Sequence, residues 1–209
     1  PAPLAAPAIR FLLAGLVLAG FALLSEGRIP RPQTGAEWGV VTGLAMTGIF
    51  LYALCFFHGL KHISAGQGAL VVALNPVVVA LAAWFLGQEK MTPLKVGGVA
   101  IAMAGCLTVI GNGNPLALIN GSVGIGEWLI LGCVMCWTAY TFIGRRATQT
   151  LSPLAATLWA SLIGAVLIGF TALLQGGSDL AAWSWRVWAS VVFLALGGTA
   201  LAFTWFADG

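Results

Sequence analysis

The stretch from Ile63 to Gln88 contains no charged side chain, which a water-soluble fold rarely tolerates. A helix rises 1.5 Å per residue, so this stretch is long enough to cross the ~30 Å hydrocarbon core of a bilayer. Its centre carries Asn75-Pro76. Because Pro76 has no N–H, the carbonyl of Val72 loses its helical donor, and unpaired polar groups are costly in lipid. The pair therefore predicts a transport site in a broken membrane helix, with a simple packing kink as the alternative.

The composition of the whole chain also indicates a membrane protein. Of its 209 residues 60% are hydrophobic and 7% are charged, against about 25% charged in soluble domains. The net charge of +3 is scattered along the chain, so nucleic acid is not an expected partner. The four cysteines lie in apolar stretches, and we interpret them as small buried side chains instead of a disulfide set.

Seven apolar stretches can be interpreted as membrane-spanning helices. They cover Leu4–Leu24, Trp38–Leu60, the stretch from Ile63 to Gln88, Pro93–Ile110, Gly126–Gly144, Pro153–Gln175 and Val187–Ala207. The fourth stretch is rich in small residues, such as Gly97, Gly98 and Gly105, that would permit close helix contacts. Lysine and arginine are concentrated in the connections that precede the second, fourth and sixth stretches. These loops are therefore predicted to be cytoplasmic, with a bacterial inner membrane as the location.

Two segments of the chain repeat later in the sequence at one common offset. A shift that places Pro3 on Pro153 places Trp38 on Trp188 and aligns the second stretch with the seventh. Matches of tryptophan and proline are harder to obtain by chance than matches of leucine or alanine. The sixth stretch is the fifth span after the first, so it crosses the membrane in the opposite direction. The two copies therefore predict an inverted repeat, which is typical of secondary transporters.

The repeat predicts a domain organisation and a larger protein. Residues 1–124 would form the first repeat without its first helix, and residues 125–209 the second repeat without its last two helices. Two complete five-helix repeats would give ten spans. The predicted fold class is thus an all-α polytopic helix bundle with seven of ten spans present.

Aromatic and hydroxyl side chains on three of the stretches could surround a solute beside Asn75. Tyr52 and Phe56 are four residues apart and share one face of the second stretch. A box of rings, hydroxyls and one amide would suit a flat or cationic solute, and the alternatives are ordinary packing or an interfacial aromatic belt. The predicted substrate-binding set is Tyr52, Phe56, Asn75, Trp137, Tyr140, Thr141, Thr199 and Phe203, and Pro76 is the predicted gate.

Three ionisable residues are candidates for a polar pathway or for coupling to an ion. Arg10 is the one charge well inside a predicted span, where charges usually mark a pathway. It could instead extend to the interface or pair with Glu127. His58 is a candidate proton-coupling group. His58 and His62 have helical spacing, but no carboxylate is near them in sequence and His62 lies in a turn, so no metal site is predicted.

The motifs of several enzyme classes are missing from the sequence. It contains no Walker loop, no GxSxG, no HExxH and no pair of carboxylates within one span. We therefore expect no cofactor, no ATP-driven pumping by this chain and no hydrolysis. A substrate gradient or protons would supply the energy for transport.

Short motifs in a common order resemble the drug/metabolite transporter superfamily, in particular the EamA-type exporters. The segment from Pro7 to Phe11 is similar to the opening of the family's second helix. The segment from Gly87 to Thr92 resembles the family's L-G-E-x-x-T ending, with Gln88 inserted before the glutamate. The small-residue stretch that follows, and the segment from Gly126 to Tyr140, resemble the helix after this ending and the start of the second repeat.

The resemblance implies a function and a location for the site. In that family ten helices enclose a central cavity, and its lining helices would correspond here to the second, third, fifth and seventh stretches. The implied activity is export of a small organic solute, such as an amino acid, a metabolite or a drug-like compound, by alternating access. The alternative from another class is a non-transporting intramembrane enzyme or assembly factor that uses Arg10, His58 and Glu127.

Overall fold

The computed structural model describes residues 4–110, 124–177, 180 and 183–197, and the regular structure in these ranges is helical. A π-helical segment, Ala45–Leu51, joins the second helix to the third. The α-helices are α1 (Ala5–Glu26), α2 (Gly35–Leu44), α3 (Tyr52–Gly59), α4 (Ala65–Val72), α5 (Asn75–Phe85), α6 (Pro93–Ile110), α7 (Ile125–Ala147), α8 (Pro153–Leu174) and α9 (Trp185–Ala195).

Five helical stretches are long and apolar enough to cross a membrane. They are α1, the continuous run from α2 through the π segment to α3, the pair α4 and α5, α7, and α8. The helices α6 and α9 are shorter. The predicted all-α polytopic fold is confirmed, and α6 begins and ends at the predicted residues. The end of the seventh predicted stretch, beyond Gly197, lies outside the described residues.

Local sequence explains where several of these helices begin. Ser64 precedes α4, and its hydroxyl oxygen accepts the Gln67 N–H at 3.2 Å. The Gln67 side chain in turn accepts the Ser64 N–H at 3.1 Å, which completes a capping box. Ser152 caps α8 through the Ala155 N–H, and Pro153 follows at the first helical position, where its missing N–H costs nothing.

The helices divide into two compact units. The first unit comprises residues 4–53 with the described part of 142–197, and the second unit comprises residues 54–141. In the first unit α1 and α8 are antiparallel. Leu18 and Ala22, near the end of α1, cluster with Leu154 and Leu158, near the start of α8. The opposite ends of the same two helices line an apolar groove of about 330 Å³.

Glycine permits two close approaches in the first unit. A Cβ atom on Gly15 would lie 2.6 Å from the Leu162 side chain, at the middle of the α1–α8 contact. A Cβ atom on Gly164 would lie 2.8 Å from the Cβ of Ile49, so α8 approaches the π segment too closely for any larger residue. Both contacts follow the pattern of membrane helices, which approach one another through small residues.

An aromatic pair ties the loop after α1 to α8. The Trp159 indole Nε1–H donates to the Pro30 carbonyl oxygen at 2.9 Å. Its ring makes an edge-to-face contact with Trp38, with 5.1 Å between ring centroids. The contact joins three parts of the first unit that are distant in sequence.

Replacement of Trp159 by phenylalanine will lower the stability of the protein. The ring is partly retained, but the Pro30 carbonyl loses its donor, which costs about 0.5–1.5 kcal/mol. The measurement is the thermal unfolding midpoint of the purified full-length protein in detergent. Trp128→Phe is the matched control, because Trp128 is 63% exposed. Equal midpoints for the two variants would contradict a structural role of the Trp159 hydrogen bond.

In the second unit α3 and α7 approach each other through glycines. A Cβ atom on Gly59 would lie 3.2 Å from the Gly126 carbonyl oxygen. A Cβ atom on Gly126 would lie 3.3 Å from the Gly59 carbonyl oxygen and 2.7 Å from a methyl carbon of Ile63. The two backbones are thus in direct contact where α3 ends and α7 begins.

The glycines of α6 make no close contact with the described residues. The small residues of α6 were interpreted as permitting close helix contacts, and a Cβ atom on Gly97, Gly98 or Gly105 would meet no described atom within 4 Å. The reason is that a small side chain shows where a close contact can form, whereas the neighbouring helix decides whether it does.

Candidate functional site

The third span is interrupted immediately before Asn75-Pro76. Helix α4 ends at Val72 and α5 begins at Asn75, with Pro76 in its first turn. Between them the Leu74 N–H donates to the Val71 carbonyl at 3.0 Å. This bond spans three residues, as in a 3₁₀ turn, instead of the four of an α-helix. Pro76 cannot donate to the Val72 carbonyl, so the span has a gap in its hydrogen-bond ladder near its centre.

The side chain of Asn75 contributes a second acceptor at this gap. Its Oδ1 atom is buried and has no hydrogen-bond donor among the described residues. Leaving a buried polar atom unpaired costs about 1–3 kcal/mol. An acceptor kept at this cost is suited to an incoming donor, such as the ammonium group of a solute or a water molecule.

Two of the predicted aromatic residues are in contact on α7. The rings of Trp137 and Tyr140 have centroids 5.3 Å apart and are tilted by 33°. Trp137 is 39% exposed. The Thr141 hydroxyl donates to the Trp137 carbonyl at 2.9 Å, so its proton is used within the helix and its oxygen lone pairs remain.

The other members of the predicted site have different placements. Phe56 belongs to the second unit with Asn75 and the α7 residues, and its ring contacts Phe57 edge-to-face at 5.6 Å. Tyr52 is half-buried at the start of α3 and belongs to the first unit. Thr199 and Phe203 lie outside the described residues. The complete aromatic box therefore stays a prediction.

Arg10 lies on α1 and is half-buried. Its Nε atom is buried without a hydrogen-bond partner in the described part of the chain, and its guanidinium carbon lies 5.2 Å from the centroid of the Phe11 ring. A cation–π contact offsets part of the cost of burying the charge. Glu127 belongs to the second unit and lies in the first turn of α7. A carboxylate at this position interacts favourably with the positive end of the helix dipole.

His58 is half-buried near the end of α3. Its Nδ1 lies 2.9 Å from the Leu54 carbonyl oxygen. Because a carbonyl can only accept, Nδ1 carries a proton and Nε2 is the nitrogen that can take up another.

Two features of this region were not predicted from the sequence. The π segment Ala45–Leu51 precedes Tyr52, and each π turn rotates the side chains that follow it relative to those before it. No residue type in the segment requires such a turn, so no sequence signal was available. The second feature is the contact between the thiols of Cys55 and Cys136, for which the Cys-x-x-Cys spacing of Cys133 and Cys136 was only a weak indication.

Comparison with known proteins gives the family. The model of the EamA-like transporter family matches residues 2–111 and 124–209. The chain is 31% identical to the uncharacterized transporter YyaM of Bacillus subtilis (strain 168) over 208 residues, which covers 99% of this chain and 68% of that protein. No solved structure gives a significant match.

Two further relatives have names that state a substrate. A S-adenosylmethionine/S-adenosylhomocysteine transporter of Chlamydia trachomatis is 29% identical, over 79% of this chain and 52% of that protein. The aromatic amino acid exporter YddG of Ancylobacter novellus is 28% identical, over 76% of this chain and 54% of that protein. The chain therefore spans about half the length of these two relatives.

The names of the family and of these relatives are those of transporters, not of enzymes. The apolar helices make the chain an integral membrane protein. Since the family model matches nearly every residue outside the segment between α6 and α7, the chain belongs to the EamA-like transporter family.

Proposed function

We propose that the chain is part of a secondary transporter that exports a small organic solute across the inner membrane of a bacterium by alternating access. The solute carries an ammonium group and a flat ring, as an aromatic amino acid does. The observation that carries this proposal is the buried Oδ1 of Asn75, which lies beside a break in a membrane span and has no donor among the residues that the structure describes. Unwound backbone and unpaired acceptors at mid-membrane are typical of transporter binding sites.

The aromatic part of the solute would stack on the pair formed by Trp137 and Tyr140. Aromatic rings prefer offset or edge contacts with one another and also attract cations. The names of the two relatives support this substrate class, because one contains an aromatic amino acid and the other an amino-acid derivative. Tyr52, Phe56 and Thr141, with Thr199 and Phe203, would complete the site.

Alternating access would use two inverted repeats, residues 1–124 and 125–209. The antiparallel arrangement of α1 and α8, which are equivalents in this repeat, supports the proposal. Helix α8 packs on the π segment and α1 packs on α9. In the proposed repeat α1 is equivalent to α8, and the π segment is equivalent to part of the stretch that contains α9. The two contacts are therefore equivalent to each other, as a two-fold axis requires. The two stretches matched by the family model also fall on the two proposed halves.

Protons are the proposed coupling ion, and the loops rich in lysine and arginine would face the cytoplasm. His58 would carry the proton on Nε2, since Nδ1 is held by the Leu54 carbonyl. Arg10 and Glu127 would belong to the polar pathway.

The test is transport by the full-length protein in proteoliposomes. Phenylalanine is compared with phenylpropionate, which lacks the amino group, and with alanine, which lacks the ring. We expect flux of phenylalanine to exceed that of both, and a proton gradient to accelerate it. Equal flux of phenylalanine and phenylpropionate would exclude recognition of the ammonium group by Asn75, and no flux of any of the three would exclude this substrate class.

Replacement of Pro76 by alanine will close the break in the third span. The new N–H can donate to the Val72 carbonyl, which stabilises the protein by about 0.5–1.5 kcal/mol. We expect the thermal midpoint to rise by a few degrees while the transport rate falls, because the gate loses its flexible point.

The matched control for this variant is Pro93→Ala. Pro93 also lies in the first turn of a helix, but it follows a loop at the end of a span and is exposed. Its replacement is expected to leave the transport rate unchanged. A Pro76→Ala protein that transports as fast as the parent would show that the break is a packing kink.

A further inference from the structure

Two cysteines that are far apart in the sequence meet in the second unit. The side chains of Cys55 on α3 and Cys136 on α7 are neighbours in the contact between these helices. Both residues are half-buried, and both are in the thiol form. Cys133 lies one turn earlier on α7 and is fully buried. The transport site proposed above uses none of these three side chains.

The contact depends on the close approach of α3 and α7. Gly59 lies against Gly126, and one to two turns further along the two helices a Cβ atom on Gly132 would lie 3.3 Å from the Cys55 sulfur. The helices are therefore antiparallel here, and glycine keeps bulky side chains out of their contact. A disulfide between two helices requires a close approach of their backbones, and glycine permits such an approach here.

We propose that Cys55 and Cys136 form a reversible disulfide that ties α3 to α7 when the protein meets a peroxide. One thiol loses its proton, and the thiolate attacks an oxygen of hydrogen peroxide and becomes a sulfenic acid; the released hydroxide takes up the proton and leaves as one water molecule. The second thiol then displaces the hydroxyl group, so that the S–S bond forms and a second water molecule leaves. The two thiols together lose two electrons, and the peroxide is reduced.

The disulfide would act as a redox-sensitive lock, and this part rests on the proposed function. Helix α3 lies in the first proposed repeat and α7 in the second. A covalent bond between them would hold together two halves that must move relative to each other during alternating access. A thiol reductant would restore the movement.

Cross-linking between two fragments of the full-length protein tests the bond directly. A protease site is inserted in the predicted loop between Gly111 and Gly124, so that cleavage separates a fragment with Cys55 from a fragment with Cys136. After treatment of membranes with hydrogen peroxide and cleavage, we expect the fragments to migrate together on a non-reducing gel and separately after reduction. Separate fragments after oxidation of the parent protein would overturn the proposal.

Serine variants of the four cysteines assign the bond to one pair. Cys55→Ser and Cys136→Ser are expected to abolish the cross-link. Cys106→Ser and Cys133→Ser are the matched controls and are expected to retain it, because each leaves the proposed pair intact. A cross-link that persists in either of the first two variants would mean that another pair reacts, which also overturns the proposal.

Flux of phenylalanine separates the lock from the proposed function. In the parent we expect flux to fall in proportion to the cross-linked fraction and to recover with dithiothreitol, while Cys136→Ser keeps its flux in peroxide. A cross-link without loss of flux would overturn the lock but not the bond. Absence of phenylalanine flux before oxidation would count against the substrate class, while the gel would still decide whether the disulfide forms.

Discussion

Replacement of Asn75 by alanine will reduce the transport of an amine-bearing solute about tenfold to a hundredfold. A hydrogen bond to a charged group contributes about 1.5–3 kcal/mol, and each 1.4 kcal/mol corresponds to a factor of ten. The Oδ1 of Asn75 is buried and unpaired, so in the absence of solute the alanine variant loses no hydrogen bond within the described protein. The measurement is initial flux into proteoliposomes at a solute concentration below saturation.

Two further variants determine which property of Asn75 matters. Asn75→Asp keeps an oxygen acceptor and adds negative charge, so it is expected to retain transport of a cationic amine. Gln67→Ala removes an amide from the start of the same span, where Gln67 caps α4, and is expected to transport like the parent. Equal flux for Asn75→Ala and the parent would remove Asn75 from the site and leave the break without an assigned role in binding.

Replacement of Gly126 by alanine will destabilise the protein by about 1–3 kcal/mol, as extra atoms do in a well-packed contact. The added methyl would lie 2.7 Å from a methyl carbon of Ile63, 2.8 Å from the Cβ of His62 and 3.3 Å from the Gly59 carbonyl oxygen. None of these is the end of a long flexible side chain, so α3 and α7 must separate. The thermal midpoint of the full-length protein in detergent should fall by several degrees.

Gly98→Ala is the matched control for this effect. Gly98 is also in a helix, but an added methyl there meets no described atom within 4 Å. Alanine is favoured over glycine in a helix by about 0.5–1 kcal/mol, so this variant should be as stable as the parent or slightly more stable. A Gly98→Ala protein as unstable as Gly126→Ala would mean that the glycines of α6 are covered by a helix outside the described residues.

Most of the helical pattern could be predicted from the sequence, whereas only part of the site could. The apolar stretches coincide with helices, and the break lies where Pro76 removes a donor. The site was harder, because it depends on which helix faces meet. Trp137 and Tyr140 contact each other because they lie on one helix. The face of the helix on which Tyr52 lies depends on the π segment before it, and no residue in the sequence signals this segment.

Hydrophobic length and the missing N–H of Pro76 act within a few residues of chain, so the order of residues was enough to predict spans and the break. The partners of Gly126, Trp159 and Cys55 come from distant parts of the sequence. The small size of a glycine does not show which glycine another helix packs against. The spacing of cysteines along one helix does not show which cysteine of another helix lies opposite them. These contacts were decided by helix packing, because close contacts in membranes require two surfaces to fit and not one residue to be small.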